Sequence, residues 1–121
     1  MMEINKLTEL VIGSAYKVSN TLGVGFLEKV YENALVIELR QAGLKVEQQK
    51  PVPVVYHGAI VGDYIADLLV DDQLILEIKA AKSIDTSHEA QLINYLKATG
   101  IHTGLLLNFG TSHLGISRKV A

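Results

Sequence analysis

Cysteine is absent from the chain. Its absence excludes disulfides, thiolate metal sites and a cysteine nucleophile, and it fits a reducing compartment. Long apolar runs are missing too: none approaches the ~20 residues that a membrane helix needs. The opening Met1-Met2-Glu3-Ile4-Asn5-Lys6 lacks the basic-then-apolar order of a signal peptide. A cytoplasmic protein with no membrane partner is therefore expected. Positive charge is scarce as well. Eleven basic against thirteen acidic side chains leave a net charge of −2. That balance argues against strong, salt-resistant binding to a polyanion by the isolated monomer, although the distribution of charge matters more than its sum. The histidines (His57, His88, His102 and His113) are too scattered to suggest a histidine metal site. No Ser-His-Asp order can be defended, and Gly23-Val24-Gly25 lacks the fingerprint spacing of a nucleotide loop.

What is present is a chain of 121 residues, without repeats or linker-like shifts in composition, so one domain over 1–121 is expected. A chain this long buries roughly two-thirds of the surface its unfolded form would expose, enough for one core. Ile4, Leu7, Val11, Ala15, Val18 and Leu22 recur at three- and four-residue steps, predicting an amphipathic helix that ends at Gly23. Leu27, Val30, Tyr31, Ala34, Leu35 and Leu39 predict a second helix, terminated at Gly43. From Leu44 to Ala80 the period becomes two. A strand over Val46–Tyr56 is held to an edge or bulge by Pro51 and Pro53. After a His57-Gly58 turn, a second strand runs Ile60–Val70 and a third Leu74–Ala80. Thr86 and Glu89 suggest a capping box opening a helix that reaches Thr99 and stops at Gly100. Gly104–Phe109 predicts a buried strand and Gly115–Val120 an outer one. The order ααβββαββ describes an α/β fold, with a mixed sheet flanked by helices.

The hairpin from Tyr64 to Ala80 is the informative piece. With Asp71-Asp72-Gln73 as a three-residue loop, Val70 pairs with Leu74, which sets Asp67 opposite Glu77 and Ile65 opposite Lys79. Glu77 and Lys79 share a face by alternation, and Asp67 joins them. Directly opposed like charges destabilise a sheet. A hard divalent cation relieves that repulsion, since carboxylate oxygens suit Mg²⁺ or Mn²⁺; without one, the pair is expected to share a proton. An ordinary surface salt bridge from Lys79 is the competing reading. The apolar run of Leu68, Leu69, Val70, Leu74, Ile75, Leu76 and Ile78 favours a partly buried cleft instead. A two-residue loop would shift the pairing by one and separate the carboxylates.

Asp67 followed by Glu77-Ile78-Lys79 resembles the D…ExK signature of the PD-(D/E)xK nuclease superfamily, whose core is of the restriction-endonuclease type with three layers. Gly25-Phe26-Leu27-Glu28-Lys29-Val30-Tyr31 resembles the motif of the GxxExxY family within it. Gln91-Leu92-Ile93-Asn94-Tyr95 resembles the QxxxY motif of its exonuclease-like branch. Together these span about residues 5–110. One departure is Ala66, where the superfamily name has proline. The resemblance implies Asp67 and Glu77 as metal ligands, with the carbonyl of Ile78 as a third and Glu28 as an auxiliary ligand, direct or through water. It implies that Lys79 orients or activates the attacking water and steadies phosphate charge. Gln91 would hold Lys79 or a substrate phosphate, with Tyr95 supporting it. Tyr31 is expected in the core or just behind the site, and Glu28 has an alternative as a solvated first-turn carboxylate.

The function expected is Mg²⁺- or Mn²⁺-dependent phosphodiester hydrolysis of nucleic acid, DNA more than RNA. A binding or regulatory module that keeps the nuclease fold without useful turnover is the first alternative, favoured by the acidic balance. A small-molecule phosphoesterase is the second. A homodimer could assemble a substrate groove that the monomer lacks.

Overall fold

The computed structural model describes residues 2–121. Helix α1 (Ile4–Leu22) opens on Glu3, whose carboxylate accepts the backbone N–H groups of Asn5 and Lys6. It buries Leu7, Val11, Ala15 and Val18 along one stripe, the spacing of an amphipathic helix. Helix α2 (Glu28–Gln41) buries Tyr31, Glu32, Leu35, Val36 and Leu39. Strands β1 (Val46–Tyr56), β2 (Ala59–Val70) and β3 (Leu74–Lys79) follow, then α3 (Thr86–Thr99), β4 (Thr103–Asn108) and β5 (Gly115–Val120). The order ααβββαββ thus agrees with the sequence pattern. One boundary mechanism differs. Helix α3 is capped by Asp85, which accepts from Ser87 and His88 while the His88 ring accepts from the Asp85 N–H. The box expected from Thr86 and Glu89 does not form; Glu89 instead pairs with Lys119 at 2.9 Å. An aspartate outside the helix is the better acceptor for its orphan N–H groups than a threonine already inside it.

The strands form one sheet in the order β1-β2-β3-β4-β5, with only β3 and β4 parallel. A parallel pair needs a long crossover, which α3 supplies. Helices α1 and α2 cover one face through a core that includes Leu35, Leu39, Leu68, Leu76, Leu105 and Phe109. Helix α3 covers the other through Leu92, Tyr95 and Leu96 against Val52, Ala66, Leu69, Ile75 and Leu106. Strand β4 is buried along its whole length, as expected for a strand with helices on both sides. Among the described residues no helix is long and apolar enough to cross a membrane.

Two features of this frame position the later chemistry. The first is unequal pairing of β2. It pairs with β1 from Val70 back to Ala59, but with β3 only from Val70 to Leu68. The outer parts of β1 and β2 therefore project beyond β3 as a two-stranded arm. The second is the loop that fixes this register. Asp71 and Asp72 adopt φ of 50° and 57°, conformations that aspartate tolerates better than bulky residues. Asp71 exchanges bonds with Lys45, donating its N–H to the carbonyl at 2.9 Å and accepting the Lys45 N–H at 2.8 Å. The expected three-residue loop, with Val70 opposite Leu74, is the one observed.

The chain after β3 is clamped by the end of β4. Asn108, buried, accepts the Ala81 N–H at 2.9 Å and donates to the Ala81 carbonyl at 2.9 Å. Phe109 donates its N–H to the Lys79 carbonyl at 2.8 Å. A methyl group at Gly110 would overlap the backbone of Ala80 and Ala81. Gly110→Ala is predicted to destabilise the protein by roughly 1–3 kcal/mol, the usual cost of overpacking. Gly13→Ala, on an open helix surface with no atom near the new methyl, should instead stabilise by roughly 0.5–1 kcal/mol. Urea unfolding of both variants checks this; equal effects would contradict the clamp.

Candidate active site

Beyond Leu68↔Leu76 the ladder between β2 and β3 stops. Two carboxylates take over its hydrogen bonds. Glu77 Oε2 accepts the backbone N–H of Asp67 at 2.7 Å, and Asp67 Oδ2 accepts the backbone N–H of Ile78 at 2.8 Å. Each acid is thereby tied to the main chain beside the other. The expected ladder pairs Asp67↔Glu77 and Ile65↔Lys79 are not formed, although the register of the paired residues points to them. Alternation along β2 also slips at this point. Ala66 and Leu69 both pack towards α3, while Leu68 and Val70 pack towards α1 and α2. Ile65, expected beside the carboxylates, is 53 % exposed on the arm. On β1, Gln49 stands unpaired between the pairs Gln48↔Leu68 and Lys50↔Ala66, with φ of 57°. The register is the same on both sides of Gln49, so no residue is inserted there; its positive φ takes it out of the ladder.

Burial sets the electrostatics. Glu77 is 3 % exposed. Burial first, and then the neighbouring Asp67, push its carboxyl up to about 8, against the opposing pull of the Asp67 N–H and Lys79. Asp67 is also held above the usual carboxylate range, chiefly by burial and further by Glu32, while the Ile78 N–H and Lys79 act the other way. Lys79 is half-buried two residues along β3 from Glu77. Among the described residues it forms no salt bridge with either acid. The pair therefore lacks positive charge at short range. Its donors are hard oxygens, the kind that suit Mg²⁺ or Mn²⁺, so the residues present fit a hard divalent cation.

Glu28 is exposed in the first turn of α2, and its field raises both acids. It does not close a third position: among the described residues no group of three acidic or imidazole side chains is near enough to hold an ion. Tyr31 is fully buried, stacked on Phe109 with ring centroids 4.9 Å apart. Its hydroxyl donates to the Gly23 carbonyl at 2.6 Å and accepts the Phe26 N–H at 3.2 Å. Tyr31 thus ties down the loop that delivers Glu28. Gln91 and Tyr95 both come from α3. Tyr95 lies in the fields of Glu77 and Asp67. Gln91 lines a groove towards the arm and makes no hydrogen bond to Lys79 among the described residues.

Two residues near the site escaped the sequence reading. Glu32 is 4 % exposed, bound by Lys29 at 2.9 Å and by the amides of Gln48 at 2.6 Å and Gln49 at 3.0 Å. It holds Gln49 in place opposite Asp67. Its signal was the helical step of four from Glu28, in line with the buried Leu35 and Leu39. Asn108 was hidden inside an apolar run; a lone amide at the end of a buried strand was the available hint.

The three-layer frame, with acids at the break between β2 and β3 and a lysine two positions on, agrees with a family comparison. The model of the PD-(D/E)XK nuclease superfamily matches residues 5–119. The chain belongs to that superfamily, which points to a function of the nuclease type and implies nucleic acid as the substrate class. Searches of curated proteins and of solved structures found no match.

The raised Glu77 carboxyl has a consequence for stability. Between the ordinary value of 4.5 and about 8 the folded state retains a proton that the unfolded state has lost. Stability therefore falls as pH rises through that window, the opposite of a salt-bridged acid. In the presence of EDTA, the melting temperature should decline from pH 5 to pH 8, and Glu77→Gln should remove much of the slope. An unchanged slope in that variant would show that Glu77 titrates normally.

Proposed function

We propose that the chain is a metal-dependent phosphodiesterase of the GxxExxY family, cleaving nucleic acid, with DNA preferred over RNA. The observation that carries this reading is the pair of buried Glu77 and half-buried Asp67, cross-bonded through backbone N–H groups and short of positive charge. Asp67, Glu77 and the carbonyl of Ile78 would hold Mg²⁺ or Mn²⁺, with Glu28 as an auxiliary ligand through water. When bound, such an ion supplies Lewis-acid polarisation of a phosphoryl oxygen and a more acidic water. Lys79 brings its ammonium to the scissile phosphate and orients the attacking water, a role for a mobile point charge. Glu77 and Asp67 fix the approach of that water by hydrogen bonding. Gln91 holds a phosphate oxygen, and Tyr95 limits the water around the pair. Tyr31 serves through the loop before α2.

A second reading, a binding or regulatory module that retains the fold without turnover, is favoured by the exposed Glu28 and the net charge of −2. A small-molecule phosphoesterase would also tolerate that charge. A homodimer pairing the projecting arms would widen the surface available to a strand.

Lys79→Ala separates the first two. Lysine contributes to the reacting phosphate but not to holding the ion, so metal affinity should stay near normal while cleavage falls by roughly 10²-fold or more. Asp67→Asn should lose both. The assay is a panel of single- and double-stranded DNA and RNA with Mg²⁺ or Mn²⁺. Wild type that cuts nothing, yet binds one form as well as Lys79→Ala does, would establish the non-cleaving module.

A further inference from the structure

A groove of about 720 Å³ runs between the β1–β2 arm and α3, within the size range of small-ligand sites. Val54 and Tyr64 line one wall, and Gln91, Asn94, Tyr95 and Lys97 the other. Tyr95, which lines the groove, packs in one cluster with Ala66, the residue before Asp67, so the groove lies beside the candidate active site. Burial and the fields of Glu77 and Asp67 together push the Tyr95 hydroxyl up to about 12.

The groove has the chemistry of a base-binding site. Tyr64 is 50 % exposed and meets Tyr95 obliquely, with ring centroids 5.9 Å apart and planes at 48°. That tilt leaves much of the Tyr64 ring free to take a second aromatic. The ring leans back along its strand over Gly62, where even a methyl group would come within 3.1 Å of Tyr64 Cε2. The small residue therefore creates the space for the ring. Gln91 and Asn94 project one helical step apart on α3, and among the described residues neither side chain has a hydrogen-bond partner in the protein. Asn94 offers donors and an acceptor, the groups that the edge of a nucleobase requires. Gln91 can accept from a base through its carbonyl oxygen while its NH2 serves the phosphate. Lys97 adds a cation at the outer rim, suited to a neighbouring phosphate. A purely apolar partner would strand those amides, and a base inside a duplex has no free face to stack, its Watson–Crick edge being already paired.

We infer that this groove receives an unpaired nucleobase of a DNA strand, stacked on Tyr64, whose adjacent phosphate lies at Asp67 and Glu77. The inference rests on the phosphodiesterase reading above and makes single-stranded DNA its substrate form. Stacking of a base on an aromatic side chain is sequence-tolerant, so no base preference is required.

The chain contains no tryptophan, so Tyr64→Trp installs a lone tryptophan in the groove, which can be excited apart from the tyrosines. Combined with Lys79→Ala to prevent cutting, its emission should be quenched by a single-stranded DNA oligonucleotide and little changed by the blunt duplex of the same sequence. In the Lys79→Ala background, Tyr64→Ala should weaken single-strand binding, read by fluorescence anisotropy, by about fivefold or more. Duplex binding should not move. Unquenched emission with undiminished affinity in Tyr64→Ala overturns the inference, as does quenching by RNA alone. The two readings fail separately. Cleavage by wild type with a silent tryptophan removes the groove assignment and leaves the enzyme. Quenching by single-stranded DNA without any cleavage by wild type leaves the groove as a binding site and removes the enzyme.

Discussion

Between β2 and β3 two carboxylates do what main-chain carbonyls do elsewhere in the sheet. Glu77 and Asp67 accept the N–H groups that the interrupted ladder leaves without partners. Those bonds hold the two acids beside each other on adjacent strands, an arrangement the sheet would otherwise disfavour. Two backbone N–H groups stabilise the charged forms, yet burial and mutual repulsion outweigh them, as the elevated Glu77 carboxyl shows. A site that must carry negative charge without local compensation is one prepared for a cation.

The rest of the fold keeps that break in place. On one side, the three-residue loop at Asp71 sets the register that leads up to it. Behind it, Glu32 and the left-handed Gln49 define where β1 also interrupts its pairing. In front, Asn108, Phe109 and Gly110 fix the chain leaving Lys79. Tyr31, stacked on Phe109, links this clamp to the loop before α2. The arm beyond the break then has one face towards α3, and the groove arises there because β3 ends before the arm does.

Much of this was legible in the sequence because it follows from periodicity. The helical stripe of α1, the alternation from Leu44 onward and the apolar run of β4 each depend on local burial, and the structure reproduces their order. The loop length and the Val70–Leu74 pair were legible too, since Asp71-Asp72-Gln73 carries its own turn chemistry. The local slip at Asp67 was not. Alternation arguments assume an unbroken strand, and a break is produced by tertiary contacts from Glu32 and Gln49 that no short-range pattern encodes. The same limit explains Ile65, placed beside the acids by extrapolation and found exposed on the arm. Helix capping failed for a simpler reason: Asp85 and Thr86 are both good caps, and the structure uses the earlier one.

The central claim is that Asp67 and Glu77 form a pair short of positive charge that a divalent cation completes. Proton release on metal binding tests it most directly. With its carboxyl near 8, Glu77 is mostly protonated at pH 7, so binding of Mn²⁺ there should expel about one proton per ion. Calorimetric titrations in buffers of different ionisation enthalpy read this number, which should approach zero at pH 9 and disappear with Glu77→Gln. Mn²⁺ binding at pH 7 without proton release, and with equal affinity in Glu77→Gln, would contradict the account.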